Sequence, residues 1–523
     1  MAIDRALLGL ADEVMTAVLR LRAGLLRIAG SGIATSLLLG AWFFLVFPTA
    51  PLYVENQNTK FLHGMAAAGI GHLDQDWTAN TVDVMPIFTG IVYLLHAATP
   101  PAVCYLLQIA LFAVFLHAVL RIADIGAGKA AKRTIFPVIV GLLVVTSQFS
   151  DGGARVWAGV AQQYLLGPAL EPQTFGVFFL LAVVVFLRGQ SEAALWLSAL
   201  PALIHPGYVV PAGTLILAFT TAAWMAPDEV PRPRLWVILG SLMAAGASML
   251  YLSLMILPTS AESWSQANEI LAKLRIPRHA VPAYWFDADA AAKTAGLVLA
   301  LWLTWRNAQR LFWIMAVCFG IAVSLTALAA LVDSNELGMI SPWRISVYLV
   351  PLGLAVLLGR LVGWALDRAE QGSAPGFFRL IGWTLAVLTL AVTANGILEK
   401  ARLYRSSGLP AHIAYMRGTG DDRTLYLTRP GDMNIRLQSG LPQLVSWKTH
   451  PYKDVEVLEW YRRYLLAKRI FKGKTLDCAA LDQAIATYGT THLLVDSPAK
   501  TVTCPTATLA FEGEGVRIYR LAP

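Results

Sequence analysis

Apolar residues in this chain come in blocks. Runs long enough, or nearly long enough, to span a bilayer as helices fall at about 33–53, 101–120, 135–149, 173–188, 193–206, 208–225, 235–257, 291–305, 311–332, 345–359 and 379–397. A shorter run at 86–98 is a candidate twelfth. This pattern predicts an all-α polytopic membrane bundle of about eleven transmembrane helices over residues 31–399. From about Lys400 no such run returns and the period changes. RTLYLT (423–428) and THLLVD (491–496) alternate like strands, DVEVLEWYRRYLLAKRIF (454–471) has the period of an amphipathic helix, and LAFEGEGVRIYRL (509–521) reads as a hairpin around a glycine-containing turn. Residues 400–523 are therefore expected to form a soluble α/β domain.

Composition supports the membrane class. Of 523 residues 56% are hydrophobic and 14% charged. Residues 1–30 carry Arg5, Arg20, Arg22 and Arg27 on an amphipathic stretch without a secretory cleavage pattern, as expected of a cytoplasmic surface segment leading into an uncleaved first span. The net charge of +8 does not point to nucleic acid, because no compact basic, aromatic-laced domain accompanies it. The basic residues lie mainly between spans. With the N-terminus inside and eleven crossings, the inner segments hold sixteen Lys and Arg and the outer loops before the C-terminal region hold seven. That bias predicts a multi-pass protein of a bacterial inner membrane with its C-terminal domain in the periplasm. Of four cysteines, Cys104 and Cys318 fall in apolar runs, whereas Cys478 and Cys504 lie in the polar C-terminal region and can pair if it faces an oxidising compartment.

Candidate chemistry concentrates in the first outer loop, 54–86, where Glu55, Asp74, Asp76 and Asp83 share one polar segment. Carboxylates at the mouth of a membrane bundle are costly to keep without a role. Glu55, directly after the first span, is placed to act as a general base or to bind a cation, or is a solvated loop acid. Asp74 and Asp76 form a D-x-D pair that can share a divalent ion such as Mg or Mn, although helix capping produces the same pattern. Asp83 reads as structural.

Arg344, in SPWRIS, sits at head-group depth as a phosphate ligand would, or as an interfacial anchor. Arg278 and His279, with Arg275, lie among aromatics in LRIPRHAVPAYW, and His205 precedes a proline where two spans meet. Arg278, His279 and His205 are substrate-binding candidates, with a surface helix and a hydrogen-bonded structural histidine as the plain alternatives. In the C-terminal region Arg436, Trp447, Lys448 and His450 are candidates to bind an acceptor or pyrophosphate, or to cap the site. Zinc spacing, a complete P-loop, a dinucleotide fingerprint and a nucleophile elbow are all lacking, so nucleotide-driven chemistry has no sequence support.

A first span followed at once by an acid, then an outer loop with a second acidic cluster ending before Pro86, resembles the membrane-integral C-type (GT-C) glycosyltransferases that use polyprenyl-phosphate-linked sugars. The resemblance implies a catalytic acid at Glu55 with Asp74 or Asp76 as the second, inversion at the sugar, and transfer to a glycan, lipid or protein acceptor at the outer face. Here the first acid is Glu where that class usually has Asp. The extended tryptophan signature of the oligosaccharyltransferase branch is missing, which argues against en bloc oligosaccharide transfer. A lipid-linked sugar or small-molecule transporter or flippase, and a surface polysaccharide polymerase or ligase, are the rival expectations.

Overall fold

The computed structural model describes residues 32–127, 135–148, 156–227, 230–332, 335–371, 375–406, 408–496 and 500–522. The amphipathic segment expected over residues 1–30 lies outside them, as does Arg155.

Every apolar run becomes a helix, but the expected count of about eleven spans is corrected. Among the described residues six helices are long and apolar enough to cross a membrane: Val103–Ala127, Pro206–Met225, Leu235–Met255, Gln309–Val332, Leu337–Glu370 and Gly376–Arg405. Five shorter apolar helices accompany them: Gly32–Val46, Pro86–Ala97, Ile135–Gln148, Pro172–Leu187 and Ser191–Ile204. Length is the physical reason. A helix rises about 1.5 Å per residue, so Ser191–Ile204 reaches about 21 Å, short of a hydrocarbon layer of about 30 Å. Apolar composition marks a segment that avoids water, and packing inside a bundle satisfies that as well as lipid does. Ala194, Leu195 and Ala202 in this short helix are indeed fully buried in the bundle core. Gly376–Arg405 does the opposite and leaves its side chains exposed along almost its whole length, as a lipid-facing helix can.

The C-terminal region is a four-stranded sheet with helices against it. β1 (Tyr426–Leu427), β2 (His492–Val495), β3 (Ala507–Gly513) and β4 (Val516–Leu521) are ordered β1-β2-β4-β3, with β1 parallel to β2 and the other pairs antiparallel. β3 and β4 are joined through Glu514 and Gly515, both with positive φ, as a two-residue hairpin turn requires. Helices Asp454–Ile470 and Cys478–Tyr488 close one face, where Leu427, Leu444, Trp460, Leu481, Leu493 and Tyr519 make the core. Cys478 and Cys504 are joined by a disulfide. The first outer loop, folded into the short helices Gln57–Lys60 and Leu62–Ala67 and two 3-10 turns, lies between this domain and the bundle.

Candidate functional site

The first outer loop is docked on the C-terminal domain, and Asp76 is its main fastening. Asp76 has extended backbone and caps the turn Trp77–Asn80, Oδ1 accepting the Thr78 N–H at 2.8 Å. Its Oδ2 accepts the Gln443 N–H at 3.0 Å and lies 2.8 Å from Arg436 Nε, off the line of that N–H. Both members of this ion pair are buried, at 0% and 1% exposure. Around it Gly440 O accepts the His72 N–H at 2.8 Å, and position 71 requires glycine twice over, since its φ is positive and a Cβ there would collide with the Gly440 carbonyl. Glu456 accepts the Val82 N–H, and the Arg463 guanidinium lies 4.2 Å over the Trp77 ring.

The expected acidic cluster is therefore corrected. Asp76 has its charge matched by Arg436 and its oxygens filled by protein donors. Asp74 stands in solvent, bonded by Gln75 Nε2 at 2.8 Å. A divalent ion held between these two carboxylates does not fit, and among the described residues no group of three His, Cys, Asp or Glu side chains is arranged for a metal. Arg436, weighed as an acceptor ligand, is instead the buried partner of this latch. Asp83 serves its own loop, accepting the Met85 N–H at 2.9 Å.

Glu55 sits apart from Asp74 and Asp76, facing Lys448 with 2.7 Å between Oε2 and Nζ. The pair is half exposed, so it contributes little to stability. Next to it, Asn56 Nδ2 donates to Tyr164 OH at 3.3 Å and to Glu171 Oε2 at 3.1 Å. Glu171 is the residue that sequence reasoning missed. It is 1% exposed, Gln173 Nε2 also donates to its Oε2, and its Oε1 has no partner among the described residues. Burial pushes its carboxyl up to about 7, against the opposing pull of Asn56 and of the Lys60 and Lys448 ammonium groups. Tyr164 also lines an apolar cavity formed with Phe43, Phe47, Phe115, Trp157 and Leu165.

Several of the remaining predicted residues do come together, around Gln162 and Gln163. Arg344 Nε donates to Gln163 Oε1 at 3.2 Å, and Gln163 Nε2 bonds His279 Nδ1. Arg278 Nη1 donates to Gln162 Oε1 at 2.8 Å. Burial, then Arg344, Arg275 and Lys60, pulls the His279 imidazole down to about 3, so the ring is neutral. Gly207 makes room for Arg344, whose Nη1 occupies the space a side chain there would need. The His205 ring packs at 60° to the Tyr208 ring, 5.0 Å between centroids, and its buried Nδ1 has no partner among the described residues. The Lys60 ammonium is the hub, within electrostatic reach of Glu171, His205, His279 and His450.

Backbone strain marks the same place. Among the described residues, six non-glycine residues have positive φ, and Tyr53, Glu55, Ala161, Gln162 and Ser341 belong to the three loops that carry this cluster. The sixth, Glu514, is in the hairpin turn.

Residues 411–467 match DUF6798, a domain of unknown function. No curated protein matches the chain. The matched stretch contains Arg436, Gln443, Lys448 and His450, so it includes the surface by which the C-terminal domain meets the first outer loop.

Sequence carried a signal for Glu171. It is a lone carboxylate in the apolar stretch GPALEPQTF, whereas Glu55 was singled out by its place in a polar segment rich in acids. Lys60 entered the sequence argument only as an orientation charge, because nothing local distinguishes a loop lysine from a pocket lysine.

Proposed function

We propose that the protein is a membrane glycosyltransferase that moves a sugar from a polyprenyl-phosphate donor to an acceptor hydroxyl at the periplasmic face of a bacterial inner membrane. One observation carries this reading: a wholly buried carboxyl with a pKa near 7 and one oxygen free of partners among the described residues, within electrostatic reach of the Lys60 and Lys448 ammonium groups. A general base works best when its pKa lies near the working pH, and clustered cations suit a departing phosphate. Glu171 takes the proton of the acceptor hydroxyl as its oxygen attacks the anomeric carbon. The bond from that carbon to the phosphate oxygen breaks on the opposite side, inverting the centre, and Lys60 and Arg344 balance the charge on the lipid phosphate. Glu55 pairs with Lys448 at the rim and holds that cation within electrostatic reach of Glu171. This revises the assignment of the base to Glu55 or the D-x-D pair.

The disulfide supports a periplasmic domain, since such bonds persist in oxidising compartments. The test is release of polyprenyl phosphate from a polyprenyl-phosphate sugar by the purified protein in liposomes, with Glu171→Gln alongside. Turnover that depends on Glu171 is expected. Movement of the donor across the bilayer with no covalent product would replace this reading with transport.

A further inference from the structure

Gln163 serves two neighbours with one amide. Its Oε1 accepts from Arg344 Nε at 3.2 Å, its Nε2 bonds His279 Nδ1, and the residue is only 8% exposed. A guanidinium only donates, so the amide oxygen must face Arg344 and the amide nitrogen must face the imidazole. That nitrogen only donates in turn, so His279 Nδ1 is bare. Burial keeps the ring neutral, and its one hydrogen is then on Nε2. Each end enforces the other. Hydrogen on Nδ1 would set N–H against N–H, and turning the amide to relieve this would point its NH2 at the guanidinium.

The loop that delivers Gln163 holds this geometry at a backbone cost. Ala161 and Gln162, directly before it, both have left-handed backbone, with φ of 55° and 59°. Two such residues in succession, neither a glycine, persist only where their surroundings over-determine the shape. Here Gly159 O accepts Lys293 Nζ at 3.2 Å, the Val160 N–H donates to Ser346 Oγ at 2.8 Å, and Gln162 Oε1 accepts Arg278 Nη1 at 2.8 Å. The Gly159 N–H closes the loop on Gln163 O at 2.6 Å. Ser341, also left-handed, donates through Oγ to the His279 carbonyl at 2.8 Å. What this leaves over is a set of donors. Arg344 Nη1 and Nη2 and His279 Nε2 make no hydrogen bond, and no carboxylate pairs with Arg344, among the described residues. Arg344 is linked to the proposed base through Tyr208, which lies within electrostatic reach of both Arg344 and Glu171. The Tyr208 hydroxyl donates to Gln173 O at 2.8 Å, and Gln173 Nε2 donates to Glu171 Oε2.

We infer that Gln163 is a positioning residue for the departing phosphate, its amide aiming the Arg344 guanidinium and fixing His279 as a neutral Nε2–H donor beside it. When the bond from the anomeric carbon to the phosphate oxygen breaks, that oxygen keeps the electron pair and the phosphate gains a second negative charge. A cation and an uncharged donor held in place by one side chain stabilise that charge without reorganising. A second cation at His279 would instead repel Arg344. That the anion is the lipid phosphate rests on the transferase reading, whereas the mutual orientation of Gln163, Arg344 and His279 does not.

The full chain in nanodiscs is examined in three ways. Nitrogen NMR of labelled histidines, with His279 assigned by its absence in His279→Asn, should show a bare Nδ1 and a protonated Nε2 at neutral pH. Gln163→Glu presents an acceptor where the amide presented a donor, and should draw the hydrogen onto Nδ1. Gln163→Met should bind polyprenyl phosphate about tenfold more weakly than wild type, the worth of one hydrogen bond to a charged group. Its kcat on the sugar-linked donor should fall about ten- to hundredfold, with KM changed less. A wild-type ring with its hydrogen on Nδ1 overturns the assignment whether or not the variants fold. Ring signals unchanged in Gln163→Glu, or polyprenyl phosphate binding as strong in Gln163→Met as in wild type, overturn it too. Binding of polyprenyl phosphate that depends on Gln163, with no donor turned over by the wild type, removes the transferase reading and leaves this inference. Turnover that Gln163→Met retains in full does the opposite.

Discussion

Glu171 makes a quantitative commitment. Its carboxyl rises from 4.5 to about 7 on folding, chiefly because burial strips water from the charged form. The native state therefore holds a proton that the unfolded chain has given up, over the window between those two values. Where the native state binds more protons, stability falls as pH rises. Stability linked to this group is fully present below about pH 4.5, is lost progressively up to about pH 7, and stays lost above it. Its magnitude is about 3 kcal/mol, from the worth of each pKa unit.

Glu171→Gln keeps the shape and the hydrogen-bond acceptor and cannot ionise. The stability of the variant relative to wild type should be near zero change at pH 4.5 and should favour the variant by about 3 kcal/mol at pH 8. Denaturant titration in one detergent, repeated across that range for both proteins, reads the difference directly and cancels every other titrating group. The transfer rate constant should meanwhile rise with pH and level off above about 7 in the wild type, and be abolished in the variant. A stability difference that stays flat across the window refutes the argument, because it means that Glu171 is ionised in the folded protein and lacks the proton affinity proposed for the base.

Other outcomes follow from the same contacts. Asp76→Ala leaves the Arg436 guanidinium buried without its counter-charge, which costs about 3 to 5 kcal/mol, while Asp76→Ala with Arg436→Met should cost clearly less. Hydrogen exchange at residues 72–83 reads both, and the single variant should speed it by at least about a hundredfold. Gly207→Ala places a methyl group where Arg344 Nη1 lies, so it should lower transfer about as far as Arg344→Ala while leaving the melting temperature within a few degrees of wild type. Replacing Cys478 and Cys504 by Ser opens a closed loop of 26 residues, and a loss of about 3 to 4 kcal/mol from the C-terminal domain is expected in denaturant titration.

How far the chain could be read in advance depended on whether a feature is local. Strand alternation in 491–496, the 454–471 helix and the hairpin near Gly515 are set by period and turn chemistry within a few residues, and the fold places elements there. Span number is not local. Ile135–Gln148 and Gly376–Arg405 are both apolar, but one is packed inside the bundle and the other exposes its side chains, and composition does not separate those outcomes.

The site divides in the same way. Asp74 and Asp76 stand two residues apart in sequence and read as one chemical unit, yet the extended backbone at Asp76 sends their carboxylates to solvent and to Arg436 respectively. Glu171 and Lys60 are 111 residues apart and share one electrostatic environment. A carboxylate acquires catalytic character from what surrounds it and from how little water reaches it, and both depend on the packing of distant segments. Sequence proximity thus favoured the pair whose charge is already matched. The more informative signal was an acid isolated among apolar residues, at Glu171, where the fold must either neutralise the group or use it.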